Sequence, residues 1–187
     1  MAEAIATYDV DVSGMWRTVH RLRNAEGEVG VLEVSRGRGG IIVAGRYSPS
    51  KGEVLQIRRD PGLLRSQFSI WTEGQEWLGS SLRWSFARRE IVLHTGSRPL
   101  RILPQSGFHM GWTLQAPRTG EMARITPGLF ARRSRIEVFR KVEFELLLFS
   151  YFLGWQIRLE SFWPGPLIDE EPSGAPAPRA PAKSSGA

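Results

Sequence analysis

The chain of 187 residues contains no cysteine. This absence excludes disulfides, thiolate zinc sites and cysteine nucleophiles, and it fits a reducing cytoplasm. Lysine is scarce as well, because only Lys51, Lys141 and Lys183 are present. Arginine therefore supplies almost all of the positive charge in a chain whose formal net charge is +6. Arginine suits phosphate and carboxylate groups, since its planar guanidinium donates two parallel hydrogen bonds. The composition therefore favours an anionic partner, although a coding bias toward arginine codons would give the same composition.

Two kinds of membrane-targeting segment are also missing. The first fifteen residues contain neither a basic segment nor an apolar one, so they do not resemble a secretory signal. The strongest apolar run, Leu146 to Ile157, has twelve residues. A helix of that length spans about 18 Å, which is short of a bilayer core of about 30 Å. We expect a cytoplasmic protein without a transmembrane span, either free or peripheral to a membrane.

From Trp16 to Lys141 the sequence alternates short β-type runs with turn signals such as Asn24–Gly27 and Arg118–Gly120. A spacing of about ten residues between turns is typical of an all-β barrel or sandwich, and it predicts about ten to twelve strands here. The candidate strands are Met15–Leu22, Val29–Val34, Ile41–Tyr47, Val54–Ile57, Gln67–Trp71, Trp77–Gly79, Leu82–Phe86, Ile91–His94, Leu100–Leu103, Met110–Leu114, Glu121–Ile125 and Arg135–Arg140.

The apolar run near the C-terminus predicts a central helix over residues 143–159. On a helix, its large side chains point in every direction and leave no polar face, so the helix must be buried on all sides. A closed barrel of ten or more strands has room for such a helix. A buried strand is the alternative for a short apolar run, but the leucine-rich composition favours a helix. The predicted core residues of the helix are Leu146, Leu148, Phe149, Phe152, Leu153 and Trp155.

These patterns divide the chain into three parts. Residues 1–14 are predicted to be a polar lead-in, and residues 15–168 to form one closed antiparallel barrel of about twelve strands around the helix. Residues 169–187 are rich in proline, alanine, glycine and serine. Such a composition cannot bury a core, so we predict a disordered tail.

Two stretches carry a resemblance to a known family. One is Gly111–Ile125, followed by Arg135–Arg140 and then the Leu/Phe-rich helix, and the other is Asp60–Trp71 with the turn Thr72–Gly74 after it. Together they resemble the tubby-like superfamily, which includes tubby C-terminal domains, phospholipid scramblases and LURP-one-related proteins, over roughly residues 15 to 160. The resemblance implies twelve strands closed around the helix and, for tubby domains, a basic site for phosphoinositide headgroups. No residue-by-residue match to that lipid site or to the scramblase calcium segment is present.

The densest basic clusters are candidates for binding an anion. They are Arg88-Arg89 and the segment from Arg132 to Arg135. Because successive residues of a strand alternate between its two faces, Arg133 and Arg135 are predicted to lie on the same side. We predict that Arg88, Arg89, Arg132, Arg133 and Arg135 contact an anionic membrane surface or an acidic protein, and we do not expect nucleic acid. A solvated outer face of the barrel is the alternative.

Metal and catalytic motifs are weak. Asp9 to Gly14 begins like a calcium loop, but its twelfth position is His20 where a calcium loop has glutamate. His20, His94 and His109 fall in different predicted strands, and none has a nucleophile at a recognisable spacing. We therefore predict a non-enzymatic binding module with no catalytic residue, metal or cofactor. Two alternatives stay open: a lipocalin-like barrel with a small apolar ligand in its lumen, and an enzyme with a cleft where His94 or His109 meets a carboxylate.

Overall fold

The structure is a computed structural model that describes residues 3–14, 17–37, 42–60, 67–82, 90–96, 99–105, 111–128 and 132–161, with the helical side chains described as far as Trp155. These residues form twelve strands and one helix. The elements are β1 (Ala6–Ser13), β2 (Thr18–Asn24), β3 (Gly27–Arg36), β4 (Ile42–Pro49), β5 (Leu55–Arg59), β6 (Phe68–Thr72), β7 (Trp77–Leu82), β8 (Ile91–His94), β9 (Leu100–Pro104), β10 (Trp112–Ala116), β11 (Gly120–Pro127), β12 (Arg133–Val138) and α1 (Phe144–Ser161).

The twelve strands close into an antiparallel barrel. Each strand pairs with its neighbours in the chain, and β1 pairs with β12 to complete the circle. In that closing pair, Ala6 lies opposite Val138 and Asp11 lies opposite Arg133. Residues of one face are buried and those of the other are wet, as the period of two in a strand requires. The predicted closed barrel of about twelve strands around a hydrophobic helix is confirmed.

The strand that closes the barrel lies where the sequence predicts a lead-in. Residues 6–13 form β1, so that prediction is wrong for this span. The alternation of the strand is regular, with Tyr8 and Val10 turned inward and Asp9 and Asp11 outward. Aspartate is uncommon in strands, and its two occurrences here hide the pattern.

A second difference concerns the predicted strand Leu82–Phe86. Leu82 is the last residue of β7, and residues 83–86 lie outside the described part of the chain. The structure therefore reaches twelve strands by adding β1, without a separate strand that begins at Leu82. The first predicted strand also begins later, because β2 starts at Thr18. The tail predicted for residues 169–187 lies outside the described residues.

Helix α1 runs through the inside of the barrel. The ring of Phe152 meets that of Phe68 on β6 edge-on at 5.3 Å, and Trp155 meets His20 on β2 in the same way at 5.1 Å. A Cβ added to Gly45 on β4 would lie 3.0 Å from Phe152. Contacts with strands on different sides of the barrel place α1 on its axis. All six predicted core residues of the helix are buried: Leu146, Leu148, Phe149, Phe152, Leu153 and Trp155.

The two ends of the barrel are distinguished by the direction of α1. We call the end at which the odd-numbered strands finish the helix-exit end, and the opposite end the turn end. Phe144 packs on Tyr47 near the turn end, with ring centroids 5.6 Å apart. Gly154 lies against Trp112, the first residue of β10, at the helix-exit end. Residues 156–161 continue α1 for about 9 Å beyond Trp155, in the direction of this end. Within the described residues, no helix is both long and apolar enough to cross a bilayer.

We predict that Leu148→Asp prevents stable folding. The side chain of Leu148 has 0% exposure, and an unpaired charge at that position costs several kcal/mol against a total stability of about 5–15 kcal/mol. Thermal unfolding followed by circular dichroism measures the effect. Val43→Asp is the matched control, because Val43 is 38% exposed on the outer face of β4. If Leu148→Asp and Val43→Asp melt at the same temperature, α1 is not the core of the barrel.

Candidate functional site

A polar cluster lies inside the otherwise apolar barrel. Nδ1 of His20 lies 2.7 Å from the hydroxyl oxygen of Tyr151 on α1, and Nε2 lies 3.1 Å from the hydroxyl oxygen of Thr18. The side chains of His20 and Tyr151 are almost completely excluded from solvent. Both ring nitrogens of the imidazole therefore have a hydrogen-bonding partner, as a buried polar group requires.

The electrostatic environment keeps His20 neutral. Burial is the main cause that lowers its pKa from 6.5 to about 3, and the positive charge of Arg36 on β3 is the smaller cause. A neutral imidazole donates from one nitrogen and accepts at the other, which matches two hydroxyl partners. Because the ring has 0% exposure, a substrate in solution has no path to it. The cluster is suited to fixing the depth and rotation of α1 inside the barrel.

A small cavity lies beside the C-terminal half of α1. Its volume is about 10 Å³, which is room for about one water molecule. The indole Nε1 of Trp155 is buried and has no hydrogen-bond partner among the described residues. The helix itself lies on the axis of the barrel, the position that a ligand in the lumen would take. The residues that line the cavity are Trp112, Ile125, Pro127, Ser134, Tyr151, Gly154 and Trp155.

The predicted basic residues of β12 lie on the outer wall of the barrel, beside carboxylates of β1. Nε of Arg135 is 3.0 Å from Oδ1 of Asp9, and Nε of Arg133 is 3.4 Å from Oδ1 of Asp11. Arg23 of β2 also approaches Asp11, at 3.7 Å. All of these side chains are largely exposed, so each pair contributes only about 0.2–1 kcal/mol. The two arginines are thus held in place, but weakly, and their charge is partly compensated.

One further candidate arginine lies at the helix-exit end. Arg132 is exposed immediately before β12, and it has no ion pair within the described parts of the chain. Arg133 and Arg135 follow it along β12, on the wall. The predicted binding residues Arg88 and Arg89 lie outside the described residues.

The histidines do not assemble into a catalytic site among the residues that the structure describes. His20 is buried near the helix-exit end, whereas His94 is exposed at the turn end as the last residue of β8. His109 lies outside the described residues. Over those residues, no group of three or more potential metal-binding side chains is present. The calcium-like segment from Asp9 to Gly14 is mainly strand β1.

The topology also shows a charge asymmetry that the sequence reasoning missed. The connections at the helix-exit end carry seven arginines and two carboxylates. Those at the turn end carry five basic and five acidic residues. The sequence predicts an extra strand at Leu82–Phe86. Because neighbouring strands of an antiparallel barrel run in opposite directions, this extra strand would assign every later connection to the opposite end of the barrel. The difference in charge between the two ends is therefore hidden in the sequence-based strand assignment. Of these arginines, Arg17 and Arg132 are among the described residues. The others lie outside the described residues and are counted from the sequence between the strands: Arg38, Arg65, Arg83, Arg88 and Arg89.

Comparisons with known proteins give no match to any family model, any curated protein or any solved structure. The arguments for function therefore start from the barrel, its filled interior and the charges at its ends.

We predict that His20 makes the protein less stable at acidic pH. Its folded pKa of about 3 lies below the unfolded value of 6.5, so between these values the unfolded chain binds a proton that the folded chain does not. Above pH 6.5 both states are neutral and the effect vanishes. The free energy of unfolding should fall, as pH decreases below 6.5, with a slope that approaches about 1.4 kcal/mol per unit.

Denaturant unfolding at pH 7, 6 and 5 measures this slope, with the pH values chosen to bracket the usual range of histidine. His20→Gln should lose that part of the slope, whereas His94→Gln should keep it because His94 is exposed. Identical slopes for the wild type and His20→Gln would contradict the burial of a neutral imidazole.

We also predict that Tyr151→Phe lowers the free energy of unfolding by about 1–3 kcal/mol, because it leaves Nδ1 of His20 buried without its partner. Denaturant unfolding at neutral pH measures the change. Tyr8→Phe is the control, since Tyr8 is only partly buried on β1. A Tyr151→Phe protein as stable as the Tyr8→Phe protein would mean that the hydrogen bond does not hold the helix.

Proposed function

We propose that the protein is a non-enzymatic binding module of the tubby-like class that contacts an anionic phospholipid surface through its helix-exit end. The observation that carries this proposal is the charge asymmetry between the two ends of the barrel. The closed twelve-strand barrel around a hydrophobic helix supports the class, because it is the architecture that the resemblance implies.

The filled interior favours binding at the surface. Helix α1 lies on the barrel axis with Leu148, Phe149 and Phe152 at 0% exposure. A lipocalin-like protein needs that space for its ligand, and the neighbouring cavity has room for only about one water molecule. A binding site is therefore more compatible with the outer surface of the barrel and its ends than with the lumen.

The chemistry of the connections favours lipid headgroups. Guanidinium groups pair with phosphate, and each arginine near an anionic membrane contributes about 1 kcal/mol of attraction. The sequence segments that join the strands at the helix-exit end also contain five aromatic residues, against Phe139 alone in those of the turn end. Aromatic rings are common where an apolar surface meets a polar one. These five residues all lie outside the described part of the chain: Trp16, Trp84, Phe86, Phe108 and Phe130.

The ion pairs of Arg133 and Arg135 do not prevent such binding. Because these pairs are exposed, each contributes less than a phosphate contact with two parallel hydrogen bonds. A lipid phosphate can therefore replace Asp9 or Asp11 as the partner of the guanidinium at little cost. Arg132 needs no such exchange, because it has no ion pair within the described residues.

Liposome flotation tests this proposal. We expect the protein to float with phosphatidylserine-containing vesicles and not with phosphatidylcholine vesicles, and we expect binding to weaken with salt because screening shortens the range of the attraction. The combined variant Arg88→Gln, Arg89→Gln and Arg132→Gln should weaken binding on the order of a hundredfold, given about 1 kcal/mol for each arginine.

The control is a variant with the same loss of charge at the turn end: Arg118→Gln, Arg140→Gln and Lys141→Gln. It should bind within a few-fold of the wild type. Equal losses in the two variants would show attraction by net charge alone and overturn the assignment to the helix-exit end. Absence of binding to both kinds of vesicle would overturn the lipid proposal and leave an acidic protein as the partner.

A further inference from the structure

One arginine on the outer wall of the barrel is held by amide groups and not by a carboxylate. Nε and Nη2 of Arg58 on β5 both donate to Oε1 of Gln56, and Nη1 donates to Oε1 of Gln75 at 3.4 Å. Its neighbour on β4 is different, because Arg46 lies 3.5 Å from a carboxylate oxygen of Glu73. Arg58 has no ion pair within the described residues, so its positive charge is fixed in position but is not compensated.

The guanidinium of Arg58 keeps donors for a further partner. An arginine side chain has five N–H groups, and three of those of Arg58 are used by the two glutamines. One N–H remains on each of the two terminal nitrogens. The side chain is exposed, so these donors can be reached from solvent. Two neighbouring N–H groups match the two oxygens of a carboxylate, which accepts two parallel hydrogen bonds.

Two tryptophans lie beside this cation on the same wall. Trp71 on β6 is directly opposite Gln56, and Trp77 on β7 is directly opposite Trp71. Residues paired in this way share a face of the sheet. The indole Nε1 of Trp71 donates to the hydroxyl oxygen of Ser69 at 2.8 Å, which restrains the ring, and Trp77 is 39% exposed. An aromatic surface therefore adjoins the uncompensated guanidinium.

The turn that supplies one of the two amides is strained. Gln75 has a φ of 69°, and no other non-glycine residue of the described ranges has a positive φ. A residue with a Cβ atom rarely adopts this conformation, and the glycine of the turn, Gly74, stands one position earlier. Strained backbone of this kind occurs most often at binding and catalytic sites. Here the strained residue is one that holds Arg58.

We propose that Arg58, Trp71 and Trp77 form a binding site for a small aromatic carboxylate. The carboxylate accepts hydrogen bonds from the two remaining N–H groups of Arg58, and the aromatic ring packs on the tryptophans. One uncompensated cation matches one negative charge, whereas a doubly charged phosphate would also meet Glu73 and Glu76 in the turn between β6 and β7. The site lies on the wall and does not rest on the proposed lipid function.

Nuclear magnetic resonance with benzoate as the probe tests the site. We expect a dissociation constant of about 1–10 mM, which is usual for so small a ligand. Benzoate should shift the indole N–H signals of Trp71 and Trp77 and the Nε–H signal of Arg58, and it should leave that of the buried Trp112 unchanged. Benzamide lacks the charge and acetate lacks the ring, so each should bind about tenfold more weakly than benzoate. Equal affinity for acetate and benzoate, or no shift with benzoate, overturns the proposal.

Matched substitutions separate the site from the net charge. Arg58→Gln should weaken benzoate binding by about tenfold, because it removes the charged hydrogen bonds. Arg101→Gln makes the same change on β9, where Arg101 is 58% exposed and pairs with Glu90, and it should bind benzoate like the wild type. Trp77→Leu should reduce the affinity for benzoate to that for acetate. Equal losses in Arg58→Gln and Arg101→Gln show attraction by net charge and overturn the assignment.

Gln75→Gly tests whether the strained turn positions Arg58. Glycine adopts a positive φ without strain, so this variant should melt at the same temperature as the wild type or higher. It should nevertheless bind benzoate several-fold more weakly, since Arg58 loses one of the amides that orient it. A variant that melts at a lower temperature and binds benzoate as the wild type does would show that Gln75 is structural only, and would overturn its positioning role.

Discussion

The burial of α1 on every side is the constraint on which the rest of the structure depends. A helix with no polar face requires a surrounding wall, and the wall must be wide enough to enclose a helix about 10 Å in diameter. Twelve strands provide that width. At two contacts between the helix and the wall, one of the two facing residues is glycine: Gly45 on β4 beside Phe152, and Gly154 on α1 beside Trp112. The hydrogen bond between His20 and Tyr151 adds a directional contact to this apolar packing and links the helix to β2 at one position.

Filling the barrel in this way shifts any binding role to the outside. The wall between β12, β1 and β2 carries alternating positive and negative side chains, so its charges largely cancel. The sequence segments that join the strands differ between the two ends in composition. Those of the helix-exit end contain more arginine and aromatic residues, and in those of the turn end the basic and acidic residues are equal in number. The antiparallel strand order therefore assigns segments of unlike composition to the two ends.

The sequence predicts the local features of this protein well and the long-range ones poorly. The apolar run at Leu146–Ile157 is enough to predict a buried helix, and regular turns are enough to predict a barrel. Strand β1 is missed because two aspartates obscure its alternation. The cluster from Arg132 to Arg135 is visible in the sequence, but its pairing with Asp9 is not, since the two partners are 126 residues apart. Likewise nothing near His20 indicates Tyr151, which is 131 residues away. Such pairs depend on the register of barrel closure, which no local pattern specifies.

The pairing of the first strand with the last has a consequence for the order of folding. While the chain is being synthesised, β1 emerges first and has no partner on one edge until β12 has been made. The intervening sheet is meanwhile open along two edges, and its inner face lacks the helix that will cover it. Unpaired edges and bare apolar faces are the features that promote association between chains. A nascent chain of this protein is therefore exposed to aggregation until both β12 and α1 have been synthesised. Chaperones that cover open sheet edges are expected to act during that period.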